Sequence, residues 1–289
     1  MYYRLILLTL TGILIFSCKQ ESTSSSAQQV QEAPAYQMID PAGTQIASRF
    51  RTPKGFSRTD VDKGGFGEFL RNTYLKPHGE QVYYYNGKVK ILQNVFDAVV
   101  DWDITSNGMT GSDCIIWFHS EYCYEKGLYE DMVYPLRTGF KMDFTKWLDG
   151  YRSIMEENEF RWEKTDDLDS SYFALKNFQE FTFAFADVNS ILYQCEKSTP
   201  EELDFGTVFI SKDRWGHGVI VVDVAEDPET GERLFLLAQS FVPAQQMEIL
   251  QNPARGELSP WYSVEDIKEV LVTPQWTFNR NECYQLKGL

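Results

Sequence analysis

The stretch from Gly206 to Gln245 constrains the fold of this chain more than any other. It holds two β-branched and aliphatic runs, His217–Val224 and Leu234–Ala238, joined by Asp227-Pro228-Glu229-Thr230-Gly231, whose composition is that of a turn. Together they predict a hairpin in a sheet interior. If Ala225 pairs with Gly231, then Asp223 faces Arg233, Val221 faces Phe235, Val219 faces Leu237 and His217 faces Gln239; opposite charges beside the turn favour that register. A slip of one residue would send His217 and Gln239 to opposite faces. In register, they stand side by side at the end of an apolar face, where a side-chain amide can orient an imidazole. A lone histidine after a glycine is more often structural, so a chemical role needs further residues.

The N-terminus points to export. Arg4 precedes an apolar run, Leu5–Phe16, too short for a comfortable membrane span, and Ser17-Cys18 follows. Ile15-Phe16-Ser17-Cys18 resembles the bacterial lipobox, which implies removal of residues 1–17 as a signal peptide and lipidation of Cys18. The location implied is the cell envelope, on the periplasmic side or the outer membrane. An ordinary cleaved signal or a single anchor helix is the alternative. Residues 18–45, rich in Ser, Gln, Ala and Pro, read as a flexible tether that would hold the rest about 30 Å from the bilayer.

The formal charge is −15, and loss of Arg4 with the signal carries it to −16. So acidic a surface repels nucleic acid and anionic headgroups, leaving the lipid on Cys18 as the membrane partner. No repeat and no Pro/Gly/Ser-rich break divides residues 46–289, which read as one α+β domain of mostly antiparallel sheet and helices.

Along that domain the sequence predicts a short amphipathic helix within Asp62–Asn72 and a hairpin at Val82–Ile91 around Asn86-Gly87. A strand is expected over Asp97–Ile104. A helix over Cys114–Lys126 comes next, with Ser112-Asp113 as N-cap and Gly127 as stop. Further expectations are a strand at Met132–Leu136, a short helix at Phe144–Tyr151, one long buried helix from Ser170 to about Cys195, a strand at Met247–Leu250 and a packed tail at Val270–Phe278.

This order, a helix opening with Asp113-Cys114 and then strands carrying His217 and Gln239, resembles papain-like cysteine hydrolases, including the NlpC-type cell-wall peptidases. The resemblance implies Cys114 as nucleophile, His217 as base and Gln239 as orienter, with Asp113 in support and a peptide amide of the cell wall as substrate. The physics fits: a helix N-terminus favours a thiolate, an imidazole accepts its proton and an amide holds the ring.

The phrases RTPKGFSR (51–58), FLRNTYLKPHG (69–79), VFISKDRWGHGVIVVDVA (208–225), FLLAQSFVPAQQMEILQNP (235–253) and TPQWTF (273–278) are similar to bacterial lipoproteins grouped as domain of unknown function 4846. Two departures matter. Gly206-Thr207 stands where the family has Gly-Asp. The family helix opens with Cys-Ala-Asp, and alignment on Ser120-Glu121-Tyr122 puts that Cys at Gly111 and that Asp at Asp113. Cys114 then comes three residues late, nearly one helical turn. Either Cys114 replaces the nucleophile from the next turn, or this chain is an inactive envelope-binding or scaffold lipoprotein that keeps the groove.

Other chemistry is weaker in the sequence. Asp101 and Asp103, alternate residues of one expected strand, would serve glycoside hydrolysis if they lined an aromatic cleft. Cys114, Cys123, Cys195 and Cys283 match no zinc spacing and read as buried thiols or disulfide halves of undetermined pairing. His78, His119 and His217 make no metal set, so no metal or cofactor is expected. The sequence does not indicate an oligomeric state.

Overall fold

The computed structural model describes residues 37–104 and 106–289. The expected signal peptide, Cys18 and the tether as far as Tyr36 lie outside the described residues. The rest of the expected tether is already part of the fold: Ile39 bridges Phe50, and the Arg51 N–H donates to the Met38 carbonyl at 2.7 Å.

Helix α1 (Ile46–Arg49) and a two-residue strand β1 (Ser57–Arg58) lead to α2 (Phe66–Arg71), which buries Phe66 and Leu70. Strand β2 is confined to Phe96–Val99, so Asp101 and Asp103 lie beyond it and share no strand face. Helix α3 (Asp113–Lys126) is stopped by Gly127 in the left-handed region, as expected.

Strands β3 (Val133–Pro135) and β4 (Lys141–Asp143) pair, and α4 (Phe144–Leu148) comes next, capped by the Asp143 carboxylate. A hairpin that the sequence pattern does not predict, β5 (Tyr151–Glu156) and β6 (Glu159–Lys164), turns through Glu157 and Asn158 at positive φ. The expected long helix is two: α5 (Tyr172–Phe185) and α6 (Val188–Leu192). Asp187 separates them because its carboxylate caps the second rather than continuing the first.

Strands β7 (Cys195–Lys197), β8 (Thr207–Ser211), β9 (His217–Glu226), β10 (Arg233–Gln239), β11 (Glu248–Leu250), β12 (Tyr262–Ser263), β13 (Val270–Val272), β14 (Thr277–Asn279) and β15 (Cys283–Leu286) complete the described elements. The main sheet is antiparallel in the order β2-β11-β10-β9-β8-β15-β7, with β1 added to β9 and β12 to β10. The fold is therefore α+β with a mostly antiparallel sheet.

Both faces of this sheet are covered. α1, α2 and α3 pack on the side of Ile220, Val222, Leu236 and Ala238, with α5 behind α3, while Ile267, Leu271 and Phe278 of the C-terminal segment lie over Val219, Val221, Phe235 and Leu237. Double coverage explains why β9 is a nearly unbroken apolar run rather than an alternating one.

The hairpin β9–β10 forms, but in a different register from the one charge pairing predicts. Arg233 pairs with Glu226, Leu234 with Ala225 and Leu236 with Asp223. Asp223 is instead held by Arg58 and Arg71, each at 2.7 Å, and Arg233 binds Glu226 at 2.9 Å. A bulge then leaves Val222 without a cross-strand partner, so Leu237 pairs with Val221 and Ala238 with Ile220. Beyond the bulge the ladder is offset by two residues from the expected one. An even offset preserves the faces, and His217 and Gln239 remain on the same side.

Candidate functional site

The site sits where β9 begins, β10 ends and α3 starts. Gly218 permits this meeting, since a Cβ there would lie 2.9 Å from both the Ile115 Cδ1 and the Ser112 Cβ; only a bare backbone lets the helix start rest on the strand. The loop into α3 is tied down by Asp113, whose carboxylate accepts the Thr110 N–H at 2.7 Å, and by Ser240, whose hydroxyl donates to the Gly111 carbonyl at 3.2 Å and accepts the Cys114 N–H at 3.1 Å.

His217 is fully buried. Its ring packs on Phe241, Trp276 and Phe278, with centroids 5.0, 5.1 and 5.7 Å away. The Nε2–H donates to the Gln239 carbonyl oxygen at 3.0 Å. The Gln239 amide donates in turn to Glu248 at 2.7 Å and to the Gln275 carbonyl oxygen at 3.0 Å. Lys90 closes the chain, its Nζ lying 2.6 Å from the same Glu248 oxygen and 2.9 Å from Gln275.

A buried ion pair thus fixes the amide, and the amide fixes the ring. Burial holds Lys90 below its ordinary range and Glu248 above its own, each opposed by the partner's charge. Burial also pushes the His217 imidazole down to about 4, so the ring is neutral at pH 7 and, with Nε2 protonated, Nδ1 carries the lone pair. Nδ1 has no hydrogen-bond partner among the described residues, and the Gly111 backbone lies near enough to the ring to favour its protonated form.

The residues singled out in the sequence separate into those the fold gathers and those it does not. His217 and Gln239 meet. Cys114 is fully buried in the cluster between α3 and the sheet, whereas His217 packs against Trp276 and Phe278 of the opposite layer, and no hydrogen bond joins the thiol to the ring among the described residues. Burial pushes the Cys114 thiol up to about 12, against any activation by the helix start.

Asp113 supports the loop, not the ring. Asp103 is tied to Lys76 at 2.6 Å, and Asp101 lies in a different cleft. The other three cysteines are free and buried, and His119 bonds the Tyr134 hydroxyl at 2.7 Å. Among the described residues no group of three or more His, Cys, Asp or Glu is gathered as a metal site, and no helix is long and apolar enough to cross a membrane.

Lys90, Glu248 and Gln275 carry no motif that marks them in the sequence. The one available signal is Glu248 inside Met247-Glu248-Ile249-Leu250, a carboxylate in an otherwise apolar strand, which must find a cation if it is to be buried.

Thr110–Asp113 also line a cleft of about 530 Å³ together with Arg137, Val188, Trp215, Gly216 and Val242. Burial raises the Asp113 carboxyl to about 7. The folded chain therefore keeps that proton up to about pH 7, while the unfolded chain loses it near the ordinary 3.8. The stability contributed by the protonated group is fully present at the acid end and is lost as the pH rises toward 7. Asp113→Asn, which cannot ionise, is expected to gain on the wild type by roughly 2 kcal/mol between pH 5 and 7. Urea midpoints at the two pH values measure this, and a difference that does not change with pH would refute the assignment.

No curated protein and no solved structure matches the chain. Residues 46–285 match the family described as domain of unknown function (4846), and with most of its length inside that match the chain belongs to this family.

Proposed function

We propose that this is a lipid-anchored protein of the bacterial cell envelope whose domain, papain-like in arrangement, binds peptide-containing envelope material without using a thiol of its own as nucleophile. One observation carries the reading: the Cys114 sulfur is packed in hydrocarbon between α3 and the sheet, while the His217 ring is seated against Trp276 and Phe278 of the opposite layer. The cleft beside Gly111 offers what a peptide needs, with Trp215 (59% exposed) and Val242 as apolar walls and the Arg137 guanidinium at the rim.

A second reading, a thiol hydrolase or amidase with Cys114 as nucleophile, His217 as base and Gln239 as orienter, is favoured by one feature. The chain from Lys90 to His217 orients the imidazole more thoroughly than a merely structural histidine requires.

Iodoacetamide distinguishes the two. With its pKa near 12, Cys114 is about one part in ten thousand thiolate at pH 8, and the other three cysteines are similar. The folded protein is expected to leave all four unmodified until denaturant is added. Rapid alkylation of Cys114, lost in Cys114→Ser and slowed by His217→Ala, would establish the hydrolase instead.

A further inference from the structure

Four large apolar side chains stand out in solvent within the eight residues 85–92: Tyr85, Val89, Leu92 at 49% exposure and Ile91 at 86%. Main-chain hydrogen bonds tie this tip down. The Tyr84 N–H donates to the Lys88 carbonyl at 2.8 Å, the Lys90 N–H to the Val82 carbonyl at 2.8 Å and the Tyr85 N–H to the Ala244 carbonyl at 3.0 Å. Lys90 is held inside by Glu248 at 2.6 Å, which leaves its neighbours Val89 and Ile91 outside. The fold thus presents to water a group of apolar side chains that its own core does not use, the mark of a contact surface.

Charge points to the partner. Residues 81–96 hold the tip, residues 239–247 join it through the Tyr85–Ala244 bond, and residues 270–279 join it through Gln275, whose side-chain oxygen lies 2.9 Å from the Lys90 Nζ. None of these three stretches contains an Asp or Glu, in a chain of net charge −15. Asp103 reaches Gln246 at 3.4 Å but is already paired with Lys76 at 2.6 Å. Lys88 is an exposed cation on the tip itself. The adjoining loop sets exposed Lys212 and Arg214 against the single Asp213, and its Trp215 and Arg214 both pack on Trp276 at 5.8 Å.

We propose that this end of the domain seats on an anionic bilayer, with Ile91 and Leu92 entering the boundary between headgroups and acyl chains and Tyr85 at the level of the headgroups. The acidity that bars the rest of the surface from anionic headgroups is missing here, and Lys88 and Arg214 attract them. A second copy of the chain would instead bring the same cations to the contact. The proposal rests on the lipid-anchor reading, which supplies the bilayer: a coil of residues 18–36 spans about 24 Å, so a lipid on Cys18 keeps the domain within reach of it. It does not rest on the peptide reading, since Ile91 and Leu92 do not line the cleft beside Gly111.

The test places the full-length chain on vesicles of phosphatidylethanolamine and phosphatidylglycerol, with a fluorophore on Ile91→Cys. In a parallel version Cys18→Ser removes the lipidation site, and an N-terminal hexahistidine tag on nickel-chelating lipid supplies the attachment. Failure of the untagged chain to float with vesicles then counts against the anchor alone, and the tagged chain still tests the tip. Nitroxides on the acyl chains are expected to quench the Ile91 probe and to spare a probe on Glu229→Cys, in the turn at the far end of the β9–β10 hairpin. With the probe moved to Val89→Cys, Ile91→Asp combined with Leu92→Asp is expected to lower the ratio of inserted to free tip at least about tenfold, the effect of withdrawing two apolar side chains. Both side chains are exposed, so the fold is kept, which circular dichroism checks. Equal quenching of the Ile91 and Glu229 probes, or quenching at Val89 that the double substitution leaves unchanged, overturns the proposal. A solution mass of two chains that Ile91→Asp reduces to one would overturn it in favour of a second copy.

Discussion

Gly111→Cys is expected to create one thiol that alkylates at least about a hundredfold faster than any thiol of the wild type, because it stands on a cleft wall where the others are buried, with whatever part of the gain depends on the imidazole lost by His217→Ala in the same background. The Gly111 backbone lies near enough to His217 to favour its protonated form, the ring's Nδ1 has no hydrogen-bond partner among the described residues, and Gly111 lies on the wall of an open cleft. A Cβ there meets the Gly216 carbonyl oxygen at 3.2 Å, a contact a few tenths of an ångström of movement relieves.

The backbone cost is also modest. Gly111 has φ +47°, and a side chain held in that region costs about 1–2 kcal/mol, which a domain of this size tolerates. The introduced thiol would sit two residues before α3 and displace iodide as the thiolate; the imidazole, held near 4 by burial, accepts the proton only as far as the thiolate charge formed beside it raises it, while the Lys90–Glu248–Gln239 chain holds the ring in the required tautomer. A variant thiol no faster than Cys114 in the parent chain would mean that the lone pair does not address this position.

Asp223→Ala is expected to cost about 3–5 kcal/mol, read as a fall in the urea midpoint. The carboxylate is fully buried in the middle of β9, where Arg58 and Arg71 each bind it at 2.7 Å and the Val224 N–H donates to it at 3.0 Å. Its removal leaves two guanidinium groups without their counter-charge. Because their side chains retain 24% and 11% exposure and can partly rehydrate, the lower end of the range is the better expectation.

Arg233→Ala is the matching control. The pairing of Arg233 with Glu226 is half open to solvent, with both side chains 37% exposed, and the expected loss is about 0.5 kcal/mol. Charge order along the sequence would pair Asp223 with Arg233 and give the two substitutions similar costs. Equal losses would restore that pairing.

The two strands that carry His217 and Gln239 were legible because their apolar runs and turn chemistry are local properties. The His217–Gln239 neighbourhood followed from face parity alone, which survives an even error in register. What escaped was non-local. Nothing near Asp223 announces Arg58 and Arg71, which arrive from β1 and α2 across more than 150 residues.

Lys88-Val89-Lys90-Ile91 shows the same limit in sharper form. Alternation would place the apolar side chains inward, yet Lys90 is 2% exposed and Ile91 86%. The segment is turned over because Glu248, buried on β11, requires a cation, and a charge pair in the interior outweighs the burial of one isoleucine. The break between α5 and α6 was missed for a related reason. Apolar spacing continues across it through Val188 and Leu192, while the capping carboxylate of Asp187 interrupts the helix.

The bulge at Val222 separates the two ends of the central hairpin as mechanical problems. Since one residue of β9 goes unmatched, changes in the length or tightness of the Asp227–Gly231 connection can be absorbed midway along the strand, before they reach the imidazole. The connecting loop can then lengthen or shorten while the aromatic seat beneath His217 keeps its alignment, much as a slip joint lets one end of a beam move while the other stays bolted.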